Sequence, residues 1–153
     1  MNGVTIAPAS EADIPELIDL LALLFAIEQD FSPDPGKQRR GLAALLASAN
    51  GHVAIARDAT SRAAGMATVQ LVISTAEGAP SAWVEDVVVR EDFRGLGLGR
   101  ALLESVLEWA RARGAVRAQL LADLDNAPAL AFYERLGWQP TRLGARRLML
   151  VER

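Results

Sequence analysis

Glycine occupies every second position in the segment Arg94-Gly95-Leu96-Gly97-Leu98-Gly99-Arg100, which follows an apolar, β-branched run and precedes a helical pattern. A strand that enters a helix through such a turn exposes backbone N–H groups at the positive end of the helix dipole. Those groups bind anions, and phosphate is their usual ligand. The segment therefore predicts a phosphate-binding loop, and a simple helix-capping turn is the alternative interpretation.

Two common phosphate-binding loops do not match these glycines. The dinucleotide fingerprint G-x-G-x-x-G fails, because its last position falls on Arg100 or on Leu102. The Walker loop needs a lysine after its glycines, and Lys37 is the only lysine in the chain. The pattern that remains is Arg-x-x-Gly-x-Gly, which begins at Arg94.

A second informative segment runs from Asn126 to Trp138, where an asparagine precedes a short helix holding Phe-Tyr, followed by Leu-Gly and an aromatic residue. Together with the loop at Arg94 and the order of elements, it resembles the GNAT superfamily of N-acetyltransferases over nearly the whole chain. The resemblance implies an α/β fold (α+β, mixed sheet) with the order β-α-α-β-β-β-α-β-α-β-β. It also implies one N-acetyltransferase domain over residues 1–153 and acetyl-CoA as the acyl donor.

The resemblance assigns a role to each matching position. Backbone amides from Gly95 to Arg100 would hold the CoA pyrophosphate, and Arg94 would contact phosphate. The main chain of Val87 to Val89 would pair with the pantetheine arm like an added strand, where the fourth and fifth strands splay apart. Asn126 would hydrogen-bond the pantetheine region. The implied cofactor-binding residues are Val87, Val88, Val89, Arg94, Gly95, Leu96, Gly97, Leu98, Gly99, Arg100 and Asn126.

Acetyl transfer to an amine makes its own chemical demands. An amine with a pKa of ~10.4 must lose a proton before it attacks, so a base is needed. A backbone N–H on the fourth strand would stabilise the oxyanion. A phenol with a pKa of ~10 can protonate the leaving thiolate, and Tyr133, which the resemblance places beside the thioester sulfur, is the only tyrosine.

The base is predicted on the strand that leads into the glycine loop. Strict alternation puts Trp83, Glu85, Val87 and Val89 on one face and Asp86 on the other. We therefore predict Glu85 as the base, acting directly or through a water, with Asp86 as the competitor if a β-bulge changes the facing. Non-catalytic alternatives stay open: a solvated or arginine-paired carboxylate for Glu85 and Asp86, a core aromatic for Tyr133, a helix cap for Asn126, and a surface arginine for Arg94.

Hydrophobic periodicity predicts the elements that position these residues. A Ser10 and Asp13 cap pair is expected to begin the first helix. A second helix carries Leu42 and ends at Asn50-Gly51, and the helix after the loop ends at Gly114. A further helix is predicted at 128–136. The predicted strands are 4–8, 52–57, 65–75, 82–90 and 116–122, with two closing strands at 138–143 and 147–151.

Composition excludes several classes of function. The 153 residues are 51% hydrophobic with a net charge of −3, so we expect one packed domain and no nucleic-acid partner. No cysteine is present and His52 is the only histidine. Disulfides, thiol nucleophiles and multi-histidine metal sites are therefore excluded, and no metal is expected. We read His52 as a partly buried strand residue. No apolar run is long enough to span a membrane, and the N-terminus lacks a signal-peptide pattern, so a cytoplasmic protein without a membrane partner is expected.

The acceptor is predicted only as a small-molecule or peptide amine. In the architecture that the resemblance implies, a loop with Glu28, Asp30, Phe31 and Asp34 would roof the acceptor cleft above Trp83, Glu85 and Asp86. These carboxylates favour a cationic, partly apolar amine. The neighbouring Lys37, Arg39 and Arg40 favour an acceptor that carries a carboxylate, and the two signals oppose each other. A catalytically silent acyl-CoA sensor is the alternative function, and a nucleotide-binding protein is a weaker one. A homodimer through the closing strands and Trp138 is a further expectation.

Overall fold

A computed structural model describes residues 3–28 and 32–152 of the chain. The chain divides into two compact units, Met1–Leu120 and Leu121–Arg153. The strands are β1 (Thr5–Pro8), β2 (Gly51–Arg57), β3 (Ala63–Ser74), β4 (Ala79–Val89) and β5 (Arg117–Leu120). The helices are α1 (Ile14–Ile27), α2 (Pro35–Ala47), α3 (Leu98–Ala112) and α4 (Ala127–Arg135).

The first unit contains a five-stranded mixed sheet in the order β1-β2-β3-β4-β5. The first three pairs of neighbours are antiparallel, and β4 and β5 run parallel. A parallel pair needs a crossover connection, and α3 supplies it. The predicted mixed α/β fold and all four predicted helices are confirmed.

Helices cover both faces of this sheet. On one face, α1 and α2 bury a core that includes Val53, Met66 and Val88. Gly65 precedes Met66 and so points to the other face, where a Cβ would meet the Leu102 side chain of α3 at 3.0 Å and the Val88 carbonyl at 2.8 Å. Glycine is therefore required at position 65 so that α3 can approach the sheet.

The start of α1 is tied to the sheet by a charged cluster. The predicted cap pair forms, since the Ser10 backbone N–H donates to Asp13 Oδ2 at 2.8 Å. The Arg57 guanidinium of β2 donates to Asp13 Oδ1 at 2.5 Å and to Glu16 Oε1 at 2.8 Å. Burial raises the pKa of Asp13, but hydrogen bonds from Ser10 and Arg57 outweigh it, and the pKa lies below its ordinary value.

His52 lies half-buried in β2, as predicted. Its ring stacks on Trp109 of α3 with 5.1 Å between ring centroids, and the Arg113 guanidinium lies 4.1 Å from the centre of the Trp109 ring. Burial and the charge of Arg113 lower the pKa of His52. The residue therefore packs a helix against the sheet.

The second unit contains α4 and the residues that follow it. The two predicted closing strands are wrong, because residues 138–152 contain no strand. A strand must pair its backbone N–H and C=O groups with a neighbour, and its apolar side chains must face a core. Leu143, Leu148 and Leu150 are instead almost fully exposed.

Candidate functional site

The glycine loop lies between β4 and α3. A one-turn 3₁₀ helix at Glu91–Phe93 follows β4, and α3 begins at Leu98. Gly95 and Gly97 adopt φ values of +77° and +81°, a left-handed conformation that is costly for residues with a Cβ. A Cβ at either position would meet no atom within 4 Å. Backbone conformation alone therefore requires these glycines, and the space beside them is open.

The N-terminus of α3 offers donors to an anion. Gly97 is the cap residue and provides no side-chain acceptor for the first helical N–H groups. The first helical hydrogen bond runs from the Ala101 N–H to the Gly97 carbonyl. The backbone N–H groups that precede Ala101 have no acceptor within the helix and lie at the positive end of the helix dipole. These N–H groups lie beside the open space at Gly95 and Gly97, and this geometry fits a pyrophosphate group.

Two arginines flank this terminus. Arg94 Nε donates to the Val89 carbonyl at 3.2 Å, so a phosphate contact would use its terminal nitrogens. Arg100 Nε donates to Glu104 Oε1 at 2.9 Å, and both side chains are well exposed. Both cations add to the positive potential of the helix terminus.

The edge of β4 that faces β5 is paired over only part of its length. The parallel ladder runs from Ser81 opposite Arg117 to Val84 opposite Leu120 and ends there, whereas β4 continues to Val89. Among the described residues, no strand pairs with residues 85–89 on this edge. The predicted pantetheine-binding residues, Val87 to Val89, thus lie on a strand edge that can accept an extended chain.

A β-bulge interrupts β4 beside this edge. Met66 lies opposite Val88, and Thr68 lies opposite Glu85, so one residue of β3 faces two residues of β4. Asp86 in the bulge has a φ of +52°. The strict alternation predicted beyond Glu85 is therefore wrong, because the extra residue moves Val88, and not Val87, onto the face of Trp83 and Glu85.

The two adjacent carboxylates of β4 have different surroundings. Glu85 is exposed, and its Oε1 accepts a hydrogen bond from Trp83 Nε1 at 2.5 Å. Asp86 Oδ2 accepts one from Thr68 Oγ1 at 3.2 Å, and Thr68 is only 2% exposed. Burial raises the pKa of Asp86 to about 6 from 3.8; the charges of Glu85 and Glu28 add to the rise, and the Thr68 hydrogen bond opposes it.

Two predicted site residues belong to the second unit. Asn126 caps α4, since its Oδ1 accepts a hydrogen bond from the Ala129 N–H at 3.2 Å. Tyr133 is half-buried, with ring centroids 5.2 Å from Phe132 and 6.0 Å from Trp138. The capping and aromatic-packing interpretations thus both describe real contacts, and the pantetheine and acid roles stay predictions.

The predicted acceptor loop is described only in part. Asp30 and Phe31 lie outside the described residues. Asp34 caps α2 by accepting a hydrogen bond from the Lys37 N–H at 3.1 Å. Glu28 follows α1 directly and acts electrostatically on Asp86. Among the described residues, the carboxylate charge near the bulge therefore comes from the end of α1 and from β4 itself.

Sequence reasoning missed Thr68. The available signal was a polar residue on the inward face of an otherwise apolar stretch, Ala63-Ala64-Gly65-Met66-Ala67-Thr68-Val69. A buried hydroxyl needs a hydrogen-bond partner, and the sequence alone did not identify Asp86 as that partner.

Comparison with known proteins decides the family. A model described as the acetyltransferase (GNAT) family matches residues 17–138. The chain belongs to the GNAT acetyltransferase family. The expected resemblance is thereby confirmed.

The chain is similar to proteins of several descriptions. An uncharacterized N-acetyltransferase of Methanocaldococcus jannaschii is 35% identical over 53% of this chain, and the match spans only 36% of that protein. An aminoglycoside N(6')-acetyltransferase of Stenotrophomonas maltophilia is 30% identical, over 71% of this chain and 73% of its own. The crystal structure of a Bacillus halodurans transcriptional regulator has a TM-score of 0.82 at 29% identity, covering 95% of this chain and 99% of its own.

Two further kinds of site are absent from the part of the chain that the structure describes. No group of three or more His, Asp or Glu side chains there is arranged to hold a metal ion. None of the helices described there is both long enough and apolar enough to cross a membrane.

Proposed function

We propose that the protein transfers the acetyl group of acetyl-CoA to the nitrogen of a primary amine, by direct transfer in a ternary complex. The observation that carries this proposal is the uncapped N-terminus of α3 beside an open strand edge on β4. The two features are neighbours along the chain, because β4 leads into α3 through the glycine loop. A pyrophosphate joined to an extended arm needs this combination, and family membership supplies the acyl chemistry.

The proposed cofactor contacts follow the described backbone. The N–H groups from Gly95 to Arg100 bind the pyrophosphate, and Arg94 adds a cation. Main-chain groups of Val87 to Val89 pair with the pantetheine amides. We keep Asn126 as a pantetheine contact on the strength of the resemblance. When bound, acetyl-CoA supplies an activated acetyl group and a thiol leaving group.

The proposed chemistry uses groups of the chain as acid and base. A carboxylate of β4, Glu85 or Asp86, takes a proton from the acceptor ammonium so that the nitrogen lone pair becomes available. A backbone N–H of β4 donates to the developing oxyanion. Tyr133 donates a proton to the departing sulfur, a role that rests on the family resemblance.

The proposed acceptor is an amine that is cationic before it reacts. Glu85 and Asp86, with Glu28 beside them, give this part of the first unit a negative potential. The similar protein from Stenotrophomonas maltophilia is named as an acetyltransferase of aminoglycosides, which carry several amino groups, and this supports the same class of acceptor for this chain.

The test is CoA release from acetyl-CoA, read with a thiol reagent across polyamines, amino acids, aminoglycosides and short peptides. The absence of cysteine in the chain keeps the background low. We expect release with one class of amine, which identifies the acceptor. Binding of acetyl-CoA without release from any class would contradict the proposal.

A catalytically silent acyl-CoA sensor is the second candidate. One observation favours it: the similar Bacillus halodurans structure is described as that of a transcriptional regulator. Such a protein needs the glycine loop but neither a base nor a phenol. Acetyl-CoA binding without turnover of any amine would make this the better function.

A further inference from the structure

Asp86 has a backbone conformation that is unusual within a strand. Among the described residues, Ser61 and Asp86 are the only non-glycine positions with a positive φ, and only Asp86 lies within a strand. Aspartate tolerates this conformation better than most residues. Strained backbone persists where surrounding structure enforces it, and such positions concentrate at functional sites. The bulge therefore sets the direction of the Asp86 side chain, whose carboxylate reaches the Thr68 hydroxyl of β3.

Thr68 fixes that carboxylate from the neighbouring strand. Its hydroxyl donates to Asp86 Oδ2 at 3.2 Å, and the residue is 2% exposed. A stretch of alanine, glycine, methionine and valine surrounds it in β3. A lone hydroxyl in such a stretch is explained by the carboxylate that it contacts, because a buried polar group needs a partner.

Glu85 differs from Asp86 in its solvent exposure and in its hydrogen-bond donor. Its carboxylate is exposed, and the Trp83 indole N–H donates to it at 2.5 Å. Glu85 therefore presents an exposed, hydrogen-bonded carboxylate next to the half-buried side chain of Asp86. Adjacent carboxyl groups in such different environments are suited to different tasks.

We infer that Asp86, and not Glu85, is the general base of the acetyl transfer, and that Thr68 is its positioning residue. This inference rests on the proposed function. Among the described residues, the charged groups that act on Asp86 are Glu85 on its own strand and Glu28 at the end of α1, and Thr68 of β3 is its polar hydrogen-bond partner. Both charges are negative, so they strengthen the hold of Asp86 on a proton while the group stays mostly ionised at pH 7.

The step balances as follows. The acceptor ammonium gives one proton to the Asp86 carboxylate. The freed nitrogen lone pair forms the C–N bond to the acetyl carbon, while the C–S bond breaks and its electron pair goes to sulfur. A second proton leaves the nitrogen and ends on the sulfur, which gives an amide and a thiol. Asp86 then returns its proton to water.

The first experiment compares Asp86→Asn with Asp19→Asn, using acetyl-CoA and the amine that gives the fastest CoA release in the panel above. Asp19 is exposed on α1, so the control removes the same charge from a position outside the site. We expect Asp86→Asn to lower kcat roughly 100-fold or more. We also expect it to abolish the fall of kcat/KM below about pH 6 while acetyl-CoA still binds. Asp19→Asn should keep the wild-type rate and pH profile.

The second experiment measures the pH at which kcat/KM falls on the acid side in variants of the residues beside Asp86. We call this fall the acid limb. Glu85→Gln removes a negative charge, so the limb should move to lower pH but remain. Thr68→Val removes the hydrogen bond to the carboxylate, so the limb should move to higher pH, and Thr68→Ser should restore it. A purely structural role for Thr68 would change the rate without moving the limb.

The outcomes separate the two proposals. A wild-type protein that releases no CoA with any amine contradicts the proposed function. An active wild type whose Asp86→Asn variant keeps its rate and acid limb within threefold overturns this inference alone. The same holds if Glu85→Gln, and not Asp86→Asn, abolishes the limb, or if Thr68→Val leaves the limb in place.

Discussion

Asp86 carries a cost for folding that its proposed role explains. Its pKa is about 6 in the folded chain and 3.8 in its ordinary state. The folded state therefore binds the proton more tightly, and the stability that depends on Asp86 is complete below pH 3.8 and is lost as the pH rises through 6. At pH 8 the ionised Asp86 carboxylate lowers the free energy of unfolding by roughly 2–3 kcal/mol.

The variant Asp86→Asn removes this cost, and asparagine accepts the left-handed conformation. We expect its free energy of unfolding to exceed that of the wild type by about 2 kcal/mol at pH 8 and to match it near pH 4. Urea unfolding at the two pH values measures the difference. A variant that is equally stable at pH 8 would show that the Asp86 carboxylate is not held in an unfavourable environment.

Tyr133 is the residue on which the proposed acid chemistry depends. Tyr133→Phe keeps the ring contacts with Phe132 and Trp138 and removes only the hydroxyl. We expect kcat to fall roughly 100-fold, because the leaving sulfur loses its proton donor, while acetyl-CoA affinity changes little. Steady-state kinetics and calorimetric titration measure the two quantities. An unchanged kcat would exclude the phenol as the acid.

At the scale of elements, the link between α1 and β2 depends on Arg57. Its guanidinium bonds Asp13, Glu16 and the Ser61 carbonyl, and the arginine side chain is only 24% exposed. Arg57→Leu leaves two carboxylates without their cation. We expect a loss of about 2 kcal/mol in the free energy of unfolding, measured with urea at pH 7.

A second arginine provides the control for this change. Arg62 pairs with Asp92 at 2.8 Å, but both side chains are about half exposed. Exposed ion pairs contribute little to stability, so Arg62→Leu should lower the free energy of unfolding by less than ~0.5 kcal/mol. Equal losses in the two variants would show that the α1–β2 cluster stabilises no more than a surface pair.

The elements also show what the sequence can and cannot predict. The glycine loop was predictable because glycine spacing and the change from strand to helix period are local signals. The β4 bulge was not, because the register of Glu85 depends on how Thr68 and Met66 of β3 lie opposite it. The sequence therefore placed both candidate bases on the right strand but could not tell their surroundings apart.

The closing strands failed for a related reason. Residues 147–151 alternate and are rich in apolar side chains, which is the local pattern of a strand. A strand also requires a partner for its backbone, and no local pattern reports one. The other predicted strands have that partner within the sheet of the first unit, and all five are present.

At the scale of the whole molecule, a ligand that binds only the folded state must stabilise it. At a hundred times its dissociation constant, acetyl-CoA should add about 2.7 kcal/mol. For a chain of this length we expect a rise in Tm of roughly 5–10 °C. Differential scanning fluorimetry with acetyl-CoA, and with ATP as a ligand that should give no rise, measures the effect.

Two glycine variants locate the stabilising ligand. Gly97→Ala and Gly114→Ala both place a Cβ on a left-handed backbone, with φ of +81° and +90°, and neither Cβ meets another atom within 4 Å. Both should lower the Tm of the free protein by similar amounts, because the backbone strain is the same kind. Gly97 lies at the N-terminus of α3, where the pyrophosphate is proposed to bind, and Gly114 lies just past the other end of the helix. Gly97→Ala should therefore lose most of the acetyl-CoA shift and Gly114→Ala should keep it, whereas equal shifts would mean that acetyl-CoA is held somewhere other than this loop.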